Sequence, residues 1–336
     1  MKQYFRPLTQ VGPARPASAV TLAAGWAWFT HAEVLCRNAA PEIIAAADLP
    51  ADVLDRLHAP RAAIAGVSME APRLMGILNV TPDSFSDGGL FDAPQAALSH
   101  ARTMAGTGAD ILDIGGESTR PGATLVPASE EIARTAPVIR AVAGGVDAPV
   151  SIDTRKAEVA RAALAAGAAI VNDVSAFTYD AELGAAVAAS TAPVCLMHAQ
   201  GDPTTMQQAP NYDDVLLDVY DFLEERIAHA EGLGIDRARI IIDPGIGFGK
   251  TLAHNLALLA RLSLFHSLGC PLLLGVSRKR FIGELGQAAE ARARMPGSLA
   301  VALAGIAQGA QITRVHDVAE TRQALTLWLA ANGLEG

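Results

Sequence analysis

Cysteine is scarce: three residues in 336, at positions 36, 195 and 270. An odd number with no CxxC spacing argues against a disulfide framework and against a cysteine zinc site. A reducing cytoplasm is the simplest setting for such thiols. Long apolar runs are missing too. Mean hydropathy is +0.26, but the excess comes largely from alanine, and no run approaches the roughly 18 residues a spanning helix needs. Secretion is not expected either. VTLAAGWAWF (20–29) follows Lys2, Arg6 and Arg15, yet a proline-spotted stretch precedes it and no convincing cleavage site follows. Basic excess is absent: the formal net charge is −9, which disfavours general nucleic-acid binding while leaving room for a local basic pocket. The chain also lacks an Asp/Glu cluster or HExxH pair able to hold a metal alone.

What remains is a chain 51% hydrophobic and 18% charged, ample for a sizeable core. From residue 73 onward, short apolar runs alternate with Ala/Leu-rich helical stretches. The runs are LMGIL (74–78), DILDI (110–114), PVSID (149–153), AIVND (169–173), PVCLM (193–197), RIIID (239–243), PLLLGV (271–276) and ITRV (312–315). Helices are predicted near 93–108, 129–143, 156–166, 180–190, 213–233, 252–267, 296–309 and 318–332. Eight strand-helix units are the arithmetic of an α/β protein of the (β/α)8 TIM-barrel class. A doubly wound open sheet is the rival. The strand ends favour the barrel. They carry Asn79, Asp113, Asp153, Asn172 with Asp173, His198, Asp243 and Ser277-Arg278-Lys279, with Arg314 and His316 at the eighth. Only a barrel gathers all eight ends around one site. Residues 1–70 do not fit the repeat and read as an N-terminal extension of unknown role, with 71–336 as the barrel.

DPGIGFGKT (243–251) is a decoy for a nucleotide phosphate loop, because Pro244 stands where that motif needs glycine. It reads instead as an aspartate held by a Pro-Gly turn with Phe248 on the following loop. The plainer alternative is a helix-initiating turn in which Asp243 only satisfies backbone donors. NVT (79–81) matches a glycosylation acceptor that a cytoplasmic protein would never have used. Asn79 is better read as a neutral oxygen ligand or a hydrogen-bonding group. GGESTRPGA (115–123) offers close backbone approach and phosphate donors in Ser118, Thr119 and Arg120, or else is an ordinary connection. SRK (277–279) and RVH (314–316) place cationic groups at strands seven and eight, where barrels often bind phosphate. Asp153, Asn172 and Asp243 suit a flat heterocycle bearing N–H donors and acceptors. Met197 and His198 end strand five, and His198 reads as a core or supporting residue rather than a catalytic one. Any metal should arrive with a phosphorylated substrate, since Mg²⁺ takes few protein oxygens in such sites.

One stretch, MGILNVTPDSFSDGG (75–89), runs from an apolar strand into a long turn-rich segment with Phe85 at its centre. Together with DIGGESTRPGA, SIDT, IVNDVSA, CLMHAQGDPTTMQ, DPGIGFGKT, GVSRKRFIG, GSLA and RVHDV, it resembles the dihydropteroate synthase family over residues 74–318. The resemblance implies a transferase that joins 4-aminobenzoate to 6-hydroxymethyl-7,8-dihydropterin diphosphate and releases pyrophosphate, in a dissociative substitution. It implies that Asp153, Asn172, Asp243 and Lys279 hold the pterin, and that Thr119, Arg314, His316 and Asn79 hold the diphosphate, with Asn79 also meeting Mg²⁺. Ser277 and two loops carrying Phe85 and Arg120 would form the aminobenzoate site, with Phe248 and Met197 also facing substrate. Asp153, Lys279, Arg314 and Asn79 are the catalytic set so implied, and a homodimer is the expected assembly. On those loops the turn-rich composition would serve opening and closing around a reactive cation. A pterin-dependent methyltransferase or a non-catalytic pterin-binding homologue are the rivals, neither of which needs both loops and the phosphate set.

Overall fold

The computed structural model describes residues 1–80, 93–118, 125–201, 206 and 209–334. Its first part is a small β module. Strands β1 (Gln3–Pro7), β4 (His31–Cys36) and β5 (Glu42–Ala45) form an antiparallel sheet, β2 (Val20–Thr21) pairs β3 (Trp28–Phe29), and helix α1 (Ala51–His58) follows. Within α1, Val53 and Leu57 lie four apart on one face and are buried with Leu22, Phe29 and Ala46 in a core of the module's own. Polar contacts tie the module to the remainder. Arg6 and Arg261 both reach Glu33, at 2.8 and 3.1 Å. Arg37 binds Asp218 and Asp221, each at 2.7 Å.

The larger part is the barrel. Strands β6 (Arg73–Asn79), β7 (Ile111–Gly115), β8 (Val150–Asp153), β9 (Ile170–Asp173), β10 (Val194–Met197), β11 (Ile240–Asp243), β12 (Leu273–Leu274) and β13 (Ile312–Val315) run parallel. They hydrogen-bond in the order β11-β10-β9-β8-β7-β6-β13-β12. A parallel bridge between Ile242 and Leu272 brings the two edges together, so the sheet closes. Helices α2 (Ala93–Gly106), α3 (Ala128–Ala143), α4 (Ala157–Ala166), α5 (Ala181–Ala188), α6 (Val215–Gly232), α7 (Leu252–Ala260), α8 (Arg280–Leu285), α9 (Met295–Ala307) and α10 (Val318–Ala331) follow the strands in turn, α8 and α9 both coming between β12 and β13. The eight apolar runs therefore became eight strands in a closed sheet, the barrel rather than the open alternative. Among the described residues no helix is long and apolar enough to cross a membrane.

Two departures are informative. The run PLLLGV yields only the two-residue strand β12. The stretch predicted as one helix over 252–267 breaks at Arg261, where the backbone turns to φ −128°, and continues as a 3-10 segment over Leu262–Leu268. Arg261 sends its guanidinium to Glu33 of the β module, a long-range contact no local pattern encodes.

Barrel polarity follows from the two-residue period of a strand. Met75, Ile111, Ile170, Cys195, Ile241, Leu273 and Ile312 form one buried apolar cluster at the lower ends of seven strands. Two residues further along the same strands stand Ile77, Asp113, Asn172, Met197, Asp243, Gly275 and Arg314. The same inward-facing parity thus carries an apolar floor and a polar mouth. Ile64 and Met69 belong to the floor cluster, and Ile64 and Val67 close a tight hairpin through two 2.9 Å backbone bonds. Deleting a fully buried isoleucine side chain typically costs about 2–4 kcal/mol. Ile64→Ala is expected to lower unfolding stability by that amount, read from the denaturant midpoint at constant slope. Ile43→Ala, 64% exposed on β5, should shift it by less than about 0.5 kcal/mol.

Candidate active site

Arg314 organises the mouth. Its Nε donates to Asp113 Oδ2 at 2.6 Å and its Nη2 donates to Asp153 Oδ2 at 2.8 Å. Asn172 Nδ2 donates to the same Asp113 oxygen at 3.1 Å. Strands β7, β8, β9 and β13 thus meet in one network, with Asp113 fully buried and Asp153 8% exposed. Burial pushes the Asp153 carboxyl up to about 7, against the pull of Arg314, and the Asp113 charge adds to the upward push. Arg314 is held well into its charged form, because the two carboxylates outweigh its own burial. Among the described residues the buried Asp113 Oδ1 has no hydrogen-bond partner.

A second group sits at β10 and β11. Asp243 accepts from Gly245 N–H at 2.7 Å, and burial lifts its carboxyl to about 6. Lys250 is 3% exposed, and its ammonium donates to His198 Nδ1 at 2.8 Å, Gly245 O at 2.9 Å and Phe248 O at 3.0 Å. With His198 O at 3.4 Å, four acceptors surround its three N–H donors, so the ammonium ties the turn down much as a bound ion would. Burial lowers Lys250 to about 7 and holds His198 well below its ordinary value, leaving Nδ1 able to accept. The lysine that mimics a nucleotide loop is therefore a structural pin. Gly245, at φ +67°, has no room for a side chain: a Cβ would lie 1.8 Å from His198 O. The pinned turn presents Phe248, over whose ring the Lys279 ammonium lies at 3.9 Å.

Strands seven and eight join through Ser277, whose Oγ accepts from His316 N–H at 3.1 Å and lies 3.0 Å from His316 Nδ1. The arginine of SRK is not one of the cations turned to the site, since Arg278 pairs with Asp317. At the end of β6, Asn79 stands across from Gly115 in register. A Cβ on Gly115 would lie 3.7 Å from Asp153 Oδ2 and 3.8 Å from Asn79 Oδ1, so the glycine keeps open the gap between those two oxygens. Among the described residues no three His, Cys, Asp or Glu side chains cluster as a metal cage. A single amide oxygen beside an open gap fits Mg²⁺ that brings water and substrate oxygens as its other ligands.

Phe85, Thr119 and Arg120 lie outside the described residues. Met197 is buried at the end of β10, paired in register with Asp243. Two features escaped the sequence reading. Asp113 was seen as a strand-end group but not as the partner of Arg314; a lone guanidinium among inward-facing positions signals that carboxylates must balance it. Beside the site, Lys156 Nζ donates to Glu131 Oε2 at 2.6 Å and to Val126 O at 2.7 Å, while Glu117 Oε1 accepts from Val126 N–H at 2.9 Å. These buried charges tie Glu117, just after β7, to Val126, just before α3.

A family model described as pterin binding enzyme matches residues 75–316. Dihydropteroate synthase of Escherichia coli K12 is 49% identical over 259 residues, 77% of this chain and 91% of the relative. The chain belongs to the dihydropteroate synthase family. The synthase of Neisseria meningitidis serogroup B is 50% identical over 79% of this chain and 94% of its own length. Among solved structures, Xanthomonas albilineans dihydropteroate synthase with 4-aminobenzoic acid superposes with a TM-score of 0.77 at 50% identity, over 82% of this chain and 99% of that one. The same bacterium's enzyme in complex with 7,8-dihydropteroate gives 0.72 at 44% identity, over 82% and 100%. Membership makes the chain a transferase of folate biosynthesis.

The raised carboxyl of Asp243 has a thermodynamic consequence. Its stability contribution is full below the unfolded value of 3.8 and is lost as pH rises toward about 6. Asp243→Asn removes that loss, so its stability relative to the parent should improve between pH 4 and 6.5 by up to about 3 kcal/mol. A gap that stays flat across this window in urea titrations would mean that the carboxyl titrates normally.

Proposed function

We propose that the chain condenses 6-hydroxymethyl-7,8-dihydropterin diphosphate with 4-aminobenzoate, releasing pyrophosphate and forming 7,8-dihydropteroate. The observation that carries this reading is the convergence of Asp153, Asn172, Asp243 and Lys279 at the barrel mouth beside Arg314, Ser277 and His316. In this reading the carboxylates and the amide match the donors and acceptors of a pterin ring. The cations and hydroxyl of strands seven and eight take up the negative charge of the diphosphate.

The substitution is dissociative in this proposal: the carbon–oxygen bond to the diphosphate breaks before the amine bonds. Asp153 faces the cationic pterin methylene, and that positive charge draws its raised carboxyl back to the ionised form. Arg314, kept charged by Asp113, lies on the same carboxylate and on the side where leaving-group charge develops. Asn79 would hold Mg²⁺ there, which as a Lewis acid stabilises charge on the departing phosphate oxygens. The aryl amine is neutral near pH 7 and needs no dedicated base, so positioning by Ser277, Phe248 and the loops bearing Phe85, Thr119 and Arg120 supplies much of the remaining acceleration. A homodimer, which the family resemblance implies, and a cytoplasmic setting, which the free cysteines favour, complete the reading.

Amine-dependent pyrophosphate release with Mg²⁺, yielding dihydropteroate, is the decisive test; pterin binding without turnover would leave a binding protein. Asp153→Ala should cut kcat by about a hundredfold or more while changing pyrophosphate affinity little. Arg314→Ala should raise the KM of the pterin diphosphate by roughly tenfold or more. It should also lower the melting temperature, because fully buried Asp113 loses the guanidinium it is paired with. An unchanged KM removes Arg314 from the phosphate site.

A further inference from the structure

Arg278 occupies a left-handed backbone conformation, φ +58°, which residues bearing a Cβ adopt only when their surroundings impose it. Here both backbone polar groups and two guanidinium nitrogens of the residue are held. Its N–H donates to Ser298 Oγ at 2.8 Å, and its carbonyl accepts from Arg294 Nη1 at 3.1 Å. Ser298 Oγ donates in turn to Arg294 O at 2.8 Å, closing the frame. The guanidinium forks onto the Asp317 carboxylate, Nε donating to Oδ2 at 3.0 Å and Nη2 to Oδ1. Ser298 comes from the GSLA stretch, which the substrate contacts leave without a role.

The flanking residues give the kink its meaning. Arg278 stands between Ser277 and Lys279, and Asp317 follows His316. Consecutive residues of the two strand ends are thereby bridged twice, Ser277 to His316 and Arg278 to Asp317. The left-handed residue reverses the chain so that its neighbours point to the mouth while its own side chain turns away to Asp317. A guanidinium already forked onto a carboxylate has fewer donors left for a diphosphate.

We propose that Arg278 and Asp317 are positioning residues for the condensation: their ion pair locks the strand-seven and strand-eight ends in register, and Ser298 and Arg294 hold the kink. The inference rests on the proposed function, because Ser277, Lys279 and His316 are the groups it aligns. In this inference Arg278 and Asp317 act through their neighbours rather than by touching substrate.

The test uses the full chain with Asp317→Asn, Arg278→Gly and the combined variant. Asparagine keeps the shape and removes the charge; glycine tolerates the kink and removes the guanidinium. Each single change is expected to raise the KM of the pterin diphosphate roughly tenfold, with kcat within about threefold. The combined variant should rise no further than the larger single, since both delete one link. A lowered melting temperature with unchanged KM in both singles reveals a merely structural pair and overturns the inference, as does a KM rise that multiplies in the double. Parent protein that makes no dihydropteroate overturns the proposed function itself, an outcome separate from either of these.

Discussion

A guanidinium placed between two carboxylates inside a barrel sets the terms for everything else at the mouth. Arg314 spans Asp113 and Asp153 from three different strands, and none of the three could be buried alone without a large desolvation cost. Such a triad is weak as a source of stability, because its mutual attraction mostly offsets the loss of water. What it supplies is orientation. Asp153 is held by a charged neighbour that is itself fixed by Asp113, and Asn172 is drawn onto the same Asp113 oxygen. A site so arranged needs little reorganisation when charge develops on a substrate.

The loops around that centre are tied down by cations that never face the reaction. Lys250 gathers four acceptors beneath the Gly245–Phe248 turn, and Arg278 grips Asp317 behind the Ser277–Lys279 kink. In both, a positive-φ residue makes the sharp reversal possible and a buried or half-buried cation keeps it closed. Lys156 does related work at Val126 with Glu117 and Glu131. Division of labour along the barrel axis follows: apolar packing below gives cohesion, while charge pairing above gives precision of placement.

Residues 1–60 add a module with its own apolar core, joined to the barrel by ion pairs at Glu33, Asp218 and Asp221 and by the indole of Trp26, which donates to Ile306 O at 2.8 Å. Partly exposed ion pairs contribute modestly, so the attachment owes more to buried contacts such as Tyr4 against Tyr220, with ring centroids 5.2 Å apart. Residues 64–69 belong to the barrel floor, which places the change from module to barrel before β6 begins.

By itself the sequence determined the alternation of strands and helices, the polar strand ends Asn79, Asp153, Asn172, Asp243, Lys279 and Arg314, and the family motifs. All of these are local: a strand has a period of two, a helix 3.6, and a motif is contiguous. Only the tertiary structure decided which charges meet. Arg314 lies 201 residues from Asp113 and 161 from Asp153, and no spacing rule relates them. The same holds for Arg261, which pairs with Glu33 at the break in a predicted helix, and for Arg278, which pairs with Asp317. Pattern specifies elements because neighbours along the chain constrain each other sterically. Pairing of buried charge is set by closure of the barrel, which brings distant strand ends within hydrogen-bond reach.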